Sequence, residues 1–482
     1  MFDFKPISLV LGFLICATGF FLTVPLITEI IYKTDQWQIY AIPLIIYLII
    51  GGSLIIMNKD TEMKLNLKGA FFLTGFCWVV MALICTIPFM YAKTNLNFFD
   101  AFFESMSGIT TTGSTTINNL EIQPKGILIW RALLQWLGGI GIIVLAISVL
   151  PFLKVGGMQL FHMEGDDPYE KFLPRISLVV KKIFLIYLGL TFICFISYYF
   201  CGMSIFDSLA HSFSTISTGG FSTHSNSFAF FKNDKILLVT IIFMLIGSFP
   251  FIILAQVSFK KPFILFQDQQ IKLFIIIIVC LITSLYLLVG DQIGNSIYQK
   301  LIIISFNSIS IITGTGFVSD NFEKWGNYSS ILFLFVMFIG GCAGSTTGGL
   351  KIFRFQILFL SVKNHLKKLI KPHGVFASKF NGNNVSEATF DSVTSFFFVY
   401  ILGFIIIAFL LSFSGLDLVT CLSAAATSIS NVGPGLGEMI GPEGNFSQLS
   451  SYSKVILALG MLFGRLEILT LLILLSPFYW KN

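Results

Sequence analysis

The sequence predicts an all-α polytopic membrane protein with ten transmembrane helices, and two observations support this. Apolar residues make up 55% of the 482 residues and charged residues only 11%, whereas a soluble chain carries about 25% charged residues. Ten stretches are apolar over the roughly 20 residues that a helix needs to cross the hydrocarbon, and their continuous apolarity argues against a β-barrel. The stretches are 7–32, 38–57, 70–91, 127–152, 178–200, 236–257, 272–290, 328–350, 394–414 and 454–478.

The distribution of Lys and Arg predicts the orientation of these spans. Of the 30 basic residues, 20 lie in one set of connecting segments, eight in the opposite set and two within spans. The richer segments are 1–6, 58–69, 153–182, 258–272, 351–393 and 479–482. Because basic residues concentrate in cytoplasmic loops, we expect both termini to be cytoplasmic. The same bias explains the net charge of +6 without a nucleic-acid partner.

Four loops on the outward side share a pattern that predicts a repeat. Each has a half-length stretch, a cluster reading I-x-x-x-G and then the next span; the clusters are 109–113, 216–220, 312–316 and 429–433. An acid lies 13 residues before the glycine in the first two repeats (Asp100, Asp207), and Asp417 lies 16 residues before it in the fourth. A helix of about 10–13 residues reaches only half of the hydrocarbon, and non-helical backbone at that depth must line a water-filled path or be buried in protein.

The repeat predicts four helix–pore loop–helix units around a single pore. Two extra N-terminal helices (1–66) precede them, and the four units are 67–155, 156–258, 259–375 and 376–482.

The composition of the loops indicates a monovalent cation as the transported species. Backbone carbonyls can replace the hydration shell of a cation, and glycine permits the unusual φ values that point successive carbonyls inward. The C-terminal ends of the half-length helices would add the negative end of the helix dipole. No carboxylate lies within the four clusters, which argues against a divalent site.

Other polar residues within spans suggest a gate. Five Gly and three Ser or Thr interrupt the eighth span at 340–349, which fits either a flexible loop that blocks the pore or a kink for close helix packing. Arg465 is interpreted as an electrostatic barrier below the filter. Glu467, only two residues away, is a poor partner for it and is interpreted as structural. For Arg131 we expect snorkelling to the interface, and for His211 simple packing.

These motifs identify a resemblance to the TrkH/KtrB superfamily of potassium-uptake membrane subunits. The four loops carry it, together with the segments 130–139 (WRALLQWLGG), 340–351 (GGCAGSTTGGLK) and 464–467 (GRLE). The resemblance extends from about residue 70 to the C-terminus, and the two extra N-terminal spans resemble TrkH more than the shorter KtrB.

The resemblance implies uptake of K⁺, with Rb⁺ as a surrogate, across the bacterial cytoplasmic membrane. It implies a homodimer in membrane lipid with one pore per protomer, regulated by a cytosolic nucleotide-binding ring of the TrkA or KtrA type, with no organic cofactor on this chain. The implied ion-binding filter residues are Thr111, Thr112, Gly113, Thr218, Gly219, Gly220, Gly314, Thr315, Gly316, Asn431, Val432 and Gly433. The implied gate residues are Gly344, Ser345, Thr346, Thr347, Gly348 and Arg465.

Two details of the filter stand out within the resemblance. Plant members with Ser in the first loop transport sodium, so Gly113 resembles the potassium-selective type. The fourth loop lacks the Thr beside the glycine, so a filter with four-fold symmetric side chains is not expected.

Two other classes of function were weighed. A proton- or sodium-coupled cation symporter would place acids or broken helices at the midplane, often in inverted repeats, whereas the repeats here are parallel and Glu467 is the candidate acid. A membrane enzyme would need a constellation of His, acid or nucleophile at the interface, and the sequence shows none. We therefore expect a transport protein without catalytic residues.

Overall fold

The computed structural model describes residues 4–61, 67–148, 169–257, 262–293, 296–374 and 376–480. Within these ranges the regular secondary structure is helical, apart from a small antiparallel hairpin of Lys379–Phe380 and Asn383–Asn384. The predicted unit boundaries near 66, 155, 258 and 375, and the end of the fourth predicted span (149–152), lie on or beside residues outside the described ranges.

Seven helices in the described ranges are long and apolar enough to cross a membrane, as expected for a multi-pass membrane protein. They are Lys5–Ile31, Gln38–Met57, Lys68–Tyr91, Lys125–Leu145, Leu178–Phe200, Gln269–Val289 and Glu387–Ser412. The first of these comprises Lys5–Phe21 and Thr23–Ile31. An eighth results if Ser451–Arg465 and Ile468–Leu475, which meet at a bend of 112°, are taken as one span.

Three predicted spans are interrupted, so the structure differs there from ten continuous helices. Span 236–257 divides into Asp234–Gly247 and the single turn Phe251–Leu254, because Pro250 lacks a backbone N–H and excludes the helical conformation from the residue before it. Span 328–350 keeps only Asn327–Val336 as helix. The last span breaks at Glu467, whose φ is +61°. The break at Pro250 lies between apolar residues, so hydropathy does not reveal it, whereas the other two breaks contain the glycines of 340–349 and the charged Arg465 and Glu467.

Four short helices precede the four glycine clusters. They are Phe98–Ile109, Ile205–Ile216, Ile297–Ile312 and Leu418–Ser430. Each begins with a side chain that accepts a hydrogen bond from the backbone N–H three residues later; these capping residues are Asn97, Ser204, Ser296 and Asp417. Asp417 is therefore equivalent to Asn97 rather than to Asp100, which explains its different distance from the glycine.

Each short helix packs between the helix before it and the helix after it in the chain. The later helix also packs against a short helix of the next unit: Lys125–Ser148 touches Ile205–Ile216, and Asp234–Gly247 touches Ile297–Ile312. Ser451–Arg465, in the last unit, packs against Phe98–Ile109 of the first. The third and fourth units are joined differently, because Ile352–Ile370 packs against Glu387–Ser412, and the contacts between units thus return to the first unit.

The distribution of burial is the inverse of that in a soluble protein. Serine and threonine side chains at the ends of the short helices are buried, while large apolar side chains such as Ile49 (62% exposed), Phe192 (61%) and Phe409 (62%) face outward. Such an exterior suits hydrocarbon and not water. The remaining α-helices of the described ranges are Ile352–Ile370 and Pro477–Trp480.

Candidate ion pathway

The four short helices end in the same backbone motif. In every case the residue before the last glycine of the cluster donates its N–H to a carbonyl five residues earlier, as Thr112 does to Ser107 and Gly219 to Ser214. The residue before this donor is left-handed, which is the Schellman arrangement. These left-handed residues are Thr111, Thr218, Gly314 and Asn431, with φ of +53°, +49°, +70° and +55°.

Two residues further on, each loop has a glycine with positive φ. These are Gly113, Gly220, Gly316 and Gly433, with φ of +88°, +82°, +78° and +108°. For Thr111 and Thr218 the left-handed conformation is strained, because a β-branched side chain rarely adopts it. Strain of this kind persists only where the surrounding structure fixes it, and here it occurs in two of the four loops.

The four loops face one another in a closed ring. A Cβ atom on the last glycine of each loop would lie less than 3.0 Å from a carbonyl oxygen of the next loop, so only glycine fits without displacement. The pairs of glycine and facing carbonyl are Gly113 and Gly219, Gly220 and Thr315, Gly316 and Val432, and Gly433 and Thr112. The last pair returns to the first loop and closes the ring.

The same four glycines line one cavity of about 70 Å³. Residues of the connecting segments complete its wall, among them Ser114, Ser222 and Asn445. All twelve residues predicted for the filter therefore lie in or beside one ring. Gly113, Gly220 and Gly316 are partly exposed, and the other nine are buried.

Side chains stabilise the loops in two different ways. In the first and third loops, two threonine hydroxyls of the same loop are 2.8 Å and 2.7 Å apart: Thr110 with Thr112, and Thr313 with Thr315. The second and fourth loops lack such a pair, and residues outside each loop make the stabilising hydrogen bonds. Gln135 donates to the Gly219 carbonyl and accepts from the Phe221 N–H at 3.0 Å.

The fourth loop departs from the others in sequence, as noted above, and its asparagine explains how it is held. Asn431 Nδ2 donates to Thr112 Oγ1 and to the Met461 carbonyl, each at 2.9 Å. Ser114 Oγ in turn donates to the Gly433 carbonyl at 2.8 Å. The first and fourth loops are thus joined by two hydrogen bonds.

Arg131 does not snorkel to the interface, which corrects the expectation from the sequence. Its side chain is 1% exposed, and its Nε lies 2.6 Å from Glu104 Oε1, a carboxylate that is also fully buried. A charge this deep must be paired, and Glu104 lies on the neighbouring short helix. Sequence reasoning missed Glu104, although an acid in the middle of an apolar stretch was an available signal.

The predicted gate segment lies against the second and fourth loops. Thr346 Oγ1 accepts a hydrogen bond from Thr218 Oγ1 at 3.0 Å and lies 3.0 Å from the Gly247 carbonyl, to which it can donate. A Cβ on Gly348 would lie less than 3.0 Å from the Ser430 carbonyl.

Within the gate segment, the Ser345 and Thr347 hydroxyls are 2.8 Å apart. The Gly344 carbonyl accepts from the Phe251 N–H at 2.9 Å. The predicted gate residues 344–348 are therefore together, directly beside the ring.

Arg465 contacts this segment from the opposite side. Its Nη1 donates to the Thr346 carbonyl at 2.7 Å, and its side chain is 3% exposed. Its Nε and Nη2 have no hydrogen-bond partner among the residues that the structure describes. Glu467 pairs instead with Arg354, with 2.5 Å between Oε2 and Nη2. The two residues of the last span thus have separate partners, as their spacing predicts.

His211 is packed rather than arranged as a ligand. Its ring nitrogens lie 2.8 Å from the Asp207 carbonyl and 3.0 Å from Ser222 Oγ, and Phe228 contacts the ring edge-on. In the described part of the chain, no three His, Cys, Asp or Glu side chains form a group that could hold a metal ion. Carbonyl and hydroxyl oxygens are what the ring offers to a cation.

Comparison with known proteins places this architecture in a family. The sequence model of the TrkH family, described as a cation transport protein, matches residues 37–482. The potassium uptake protein TrkI of Halomonas elongata is 38% identical over 99% of this chain and 97% of its own length. TrkH of Vibrio parahaemolyticus is 37% identical, with complete coverage of both chains.

The fold agrees with a solved structure of the same kind. The crystal structure of the potassium transporter TrkH from Vibrio parahaemolyticus superposes with a TM-score of 0.91 at 35% identity and covers both chains completely. The resemblance found in the loops and in the broken eighth span is therefore confirmed over the whole chain, including the two N-terminal helices. The chain belongs to the TrkH family of cation transport proteins.

Proposed function

We propose that this protein takes up K⁺ through a single pore whose selectivity filter is the ring of four loops. The observation that carries the proposal is the closure of that ring, in which each glycine faces a carbonyl of the next loop. The relatives named above are potassium uptake proteins, and this supports K⁺ as the ion. In this proposal the chain forms four helix–pore loop–helix units and crosses the bacterial cytoplasmic membrane with both termini inside.

The chemistry of the ring suits a dehydrated monovalent cation. Backbone carbonyls and threonine hydroxyls supply neutral oxygens, which can replace water around K⁺. Four helices end at the ring, so four negative dipole ends are directed toward it. Close backbone packing between the loops limits how far they can contract around a smaller ion such as Na⁺.

In the proposed mechanism, residues 344–348 and Arg465 close the path on the inner side of the ring. The hydroxyl of Thr346 is bonded to Thr218 of the second loop, and its carbonyl is bonded to the Arg465 guanidinium. A buried cation at this position also repels K⁺, which adds an electrostatic barrier to the steric one. Opening requires the segment to leave Thr218 and Arg465, and a cytosolic nucleotide-binding subunit acting on a homodimer is the regulator we propose.

Passive conduction is sufficient for uptake. The membrane potential contributes about 2.3 kcal/mol per 100 mV for each charge, which corresponds to about 40-fold accumulation. The coupled symporter is less well supported, because Glu467 is held in an ion pair with Arg354.

The test is ⁸⁶Rb⁺ uptake into proteoliposomes of the purified protein, with KCl or NaCl trapped inside. A second sample carries a deletion within 342–348, which removes the proposed gate. We expect uptake with internal K⁺ and not with internal Na⁺, and more of it after the deletion. If neither protein takes up Rb⁺ with internal K⁺, the proposal is wrong. Uptake that needs a proton gradient would favour the symporter.

A further inference from the structure

We propose that the buried ion pair of Glu104 and Arg131 is a positioning pair that sets K⁺-over-Na⁺ selectivity, by holding the first and second loops of the ring at a fixed distance. The inference rests on the proposed function, because it assumes that the ring is the filter. Neither side chain was predicted to act, and neither lies in the loops themselves.

Glu104 fixes the chain that leaves the first loop. Its carboxylate accepts hydrogen bonds from the Thr115 hydroxyl at 3.0 Å and from the Thr116 N–H at 2.8 Å. The Thr116 hydroxyl lies 3.2 Å from the same carboxylate. These two threonines are the second and third residues after Gly113, so the carboxylate determines where the first loop ends.

Arg131 extends this network to the second loop. Its Nη1 donates to the Ser222 carbonyl at 3.0 Å, and its guanidinium lies 4.1 Å from the centre of the Phe221 ring. Phe221 and Ser222 directly follow Gly220. The Arg131 guanidinium therefore bonds both to Glu104, which holds the first loop, and to the Ser222 carbonyl, which continues the second loop. Arg131 also lines the same cavity as Gly113 and Gly220.

Neutral hydrogen bonds join the loops or their flanking segments at two of the other seams. Between the second and third units, the Ala229 N–H donates to the Val318 carbonyl at 3.1 Å. Between the fourth and first loops, Ser114 Oγ donates to the Gly433 carbonyl at 2.8 Å. Between the third and fourth units, Glu323 accepts from the Gly437 N–H at 2.7 Å, four residues after Gly433. At the first seam, a buried ion pair holds residues within three positions of both glycines, so its loss should act directly on the ring.

Burial makes this pair a strong constraint. Charge-assisted hydrogen bonds are stronger than neutral ones, and screening by water is weak at a site that is 1% exposed or less. Removing one partner leaves the other charge buried and unpaired, which threatens folding. Changes that remove both charges together, or that keep the charge and alter the geometry, are therefore the informative ones.

Two variants test the pair. The first is Glu104→Gln with Arg131→Met, which removes both charges and keeps the approximate volume. The second is Arg131→Lys, which keeps the charge but cannot reach Glu104 and Ser222 with one planar fork. The readout is the ratio of K⁺ to Na⁺ concentrations that halve ⁸⁶Rb⁺ uptake. We expect both variants to lower K⁺ preference by about tenfold, the effect of losing roughly one charge-assisted hydrogen bond.

The matched control is a second, partly buried ion pair on the same short helix. Lys454 Nζ lies 2.5 Å from Asp100 Oδ1 and joins this helix to the last unit, far from the glycines along the chain. Asp100→Asn with Lys454→Met should lower thermal stability and leave the ratio unchanged. If the ratio of K⁺ to Na⁺ concentrations is unchanged in both test variants, the inference is wrong. A fall in stability alone would not support it, because loss of a purely structural pair would also lower stability. Failure of the proposed function is distinct, since the unaltered protein would then take up no Rb⁺.

Discussion

The filter loops and the gate segment are both glycine-rich, buried and non-helical, yet they are held in different ways. The last glycine of each proposed filter loop faces a carbonyl of a neighbouring loop so closely that no Cβ fits. Gly344 in the gate segment also has a positive φ, +75°, but nothing lies within 4 Å of the Cβ position. Close backbone packing occurs in every loop of the ring, whereas in residues 344–348 it occurs at Gly348 and not at Gly344. Hydroxyl contacts, backbone hydrogen bonds and one arginine hold the rest of that segment. In the proposed mechanism, selectivity and opening therefore depend on separate interactions.

The largest expected effect is on opening, through Arg465→Ala. The change removes the charge-assisted hydrogen bond to the Thr346 carbonyl, worth about 1.5–3 kcal/mol. We expect basal ⁸⁶Rb⁺ uptake to rise roughly thirtyfold, since each 1.4 kcal/mol is a factor of ten, while K⁺-over-Na⁺ preference stays the same. Arg465→Lys keeps the charge and should give a smaller increase. Unchanged uptake in Arg465→Ala would place this side chain off the pathway.

The substitution Gly113→Ser, in the ring, should instead lower the preference for K⁺ over Na⁺. The new side chain must occupy a left-handed residue and displace the Gly219 carbonyl. Left-handed strain alone costs about 1–2 kcal/mol, so we expect K⁺-over-Na⁺ preference to fall about tenfold. Competition of K⁺ and Na⁺ against ⁸⁶Rb⁺ uptake measures it.

Gly202→Ser is the matched control for that substitution. Gly202 also has a positive φ, +103°, but has no atom within 4 Å of the Cβ position, so the backbone strain is present and the collision is not. Equal losses of selectivity in the two variants would contradict a filter fixed by close packing.

Thr346→Val tests the hydroxyl contacts of the gate. The change removes the bond from Thr218 and the bond to the Gly247 carbonyl, a net loss of about 1 kcal/mol. Basal uptake should rise about fivefold with unchanged ion preference. Thr470→Val is the control, because the Thr470 hydroxyl is buried with no hydrogen-bond partner among the described residues. A similar rise in both variants would mean that the hydroxyl contact does not hold the gate.

The loops could be located from the sequence because they combine local signals, namely a half-length stretch followed by an I-x-x-x-G cluster. Such signals depend on neighbouring residues and survive without tertiary information. The pair of Glu104 and Arg131 could not be found in this way, since its members are 27 residues apart on different helices and their pairing depends on how those helices pack. Snorkelling was the reasonable expectation for an arginine viewed alone.

The count of ten continuous spans is not confirmed, for a different physical reason. Hydropathy sums over a window, so a break of a few apolar residues, such as the one at Pro250, is averaged into one long span. The proline itself was a usable signal, and the glycines at 340–349 were used correctly to predict a break. Glu467 with its positive φ had no such signal, because a non-glycine residue in that conformation is imposed by its surroundings.

The smallest effect on ⁸⁶Rb⁺ uptake is expected for Gly344→Ala, which can be compared directly with Gly113→Ser. Both residues have positive φ, so both substitutions strain the backbone, but only at Gly113 does the new atom meet a carbonyl. Strain of about 1 kcal/mol in the closed gate should raise basal uptake by less than about fivefold and leave ion preference unchanged. Thermal unfolding measured beside ⁸⁶Rb⁺ uptake separates this from general destabilisation. If Gly344→Ala altered K⁺-over-Na⁺ preference as Gly113→Ser does, the gate segment would belong to the selectivity filter, and the division between the two regions would be wrong.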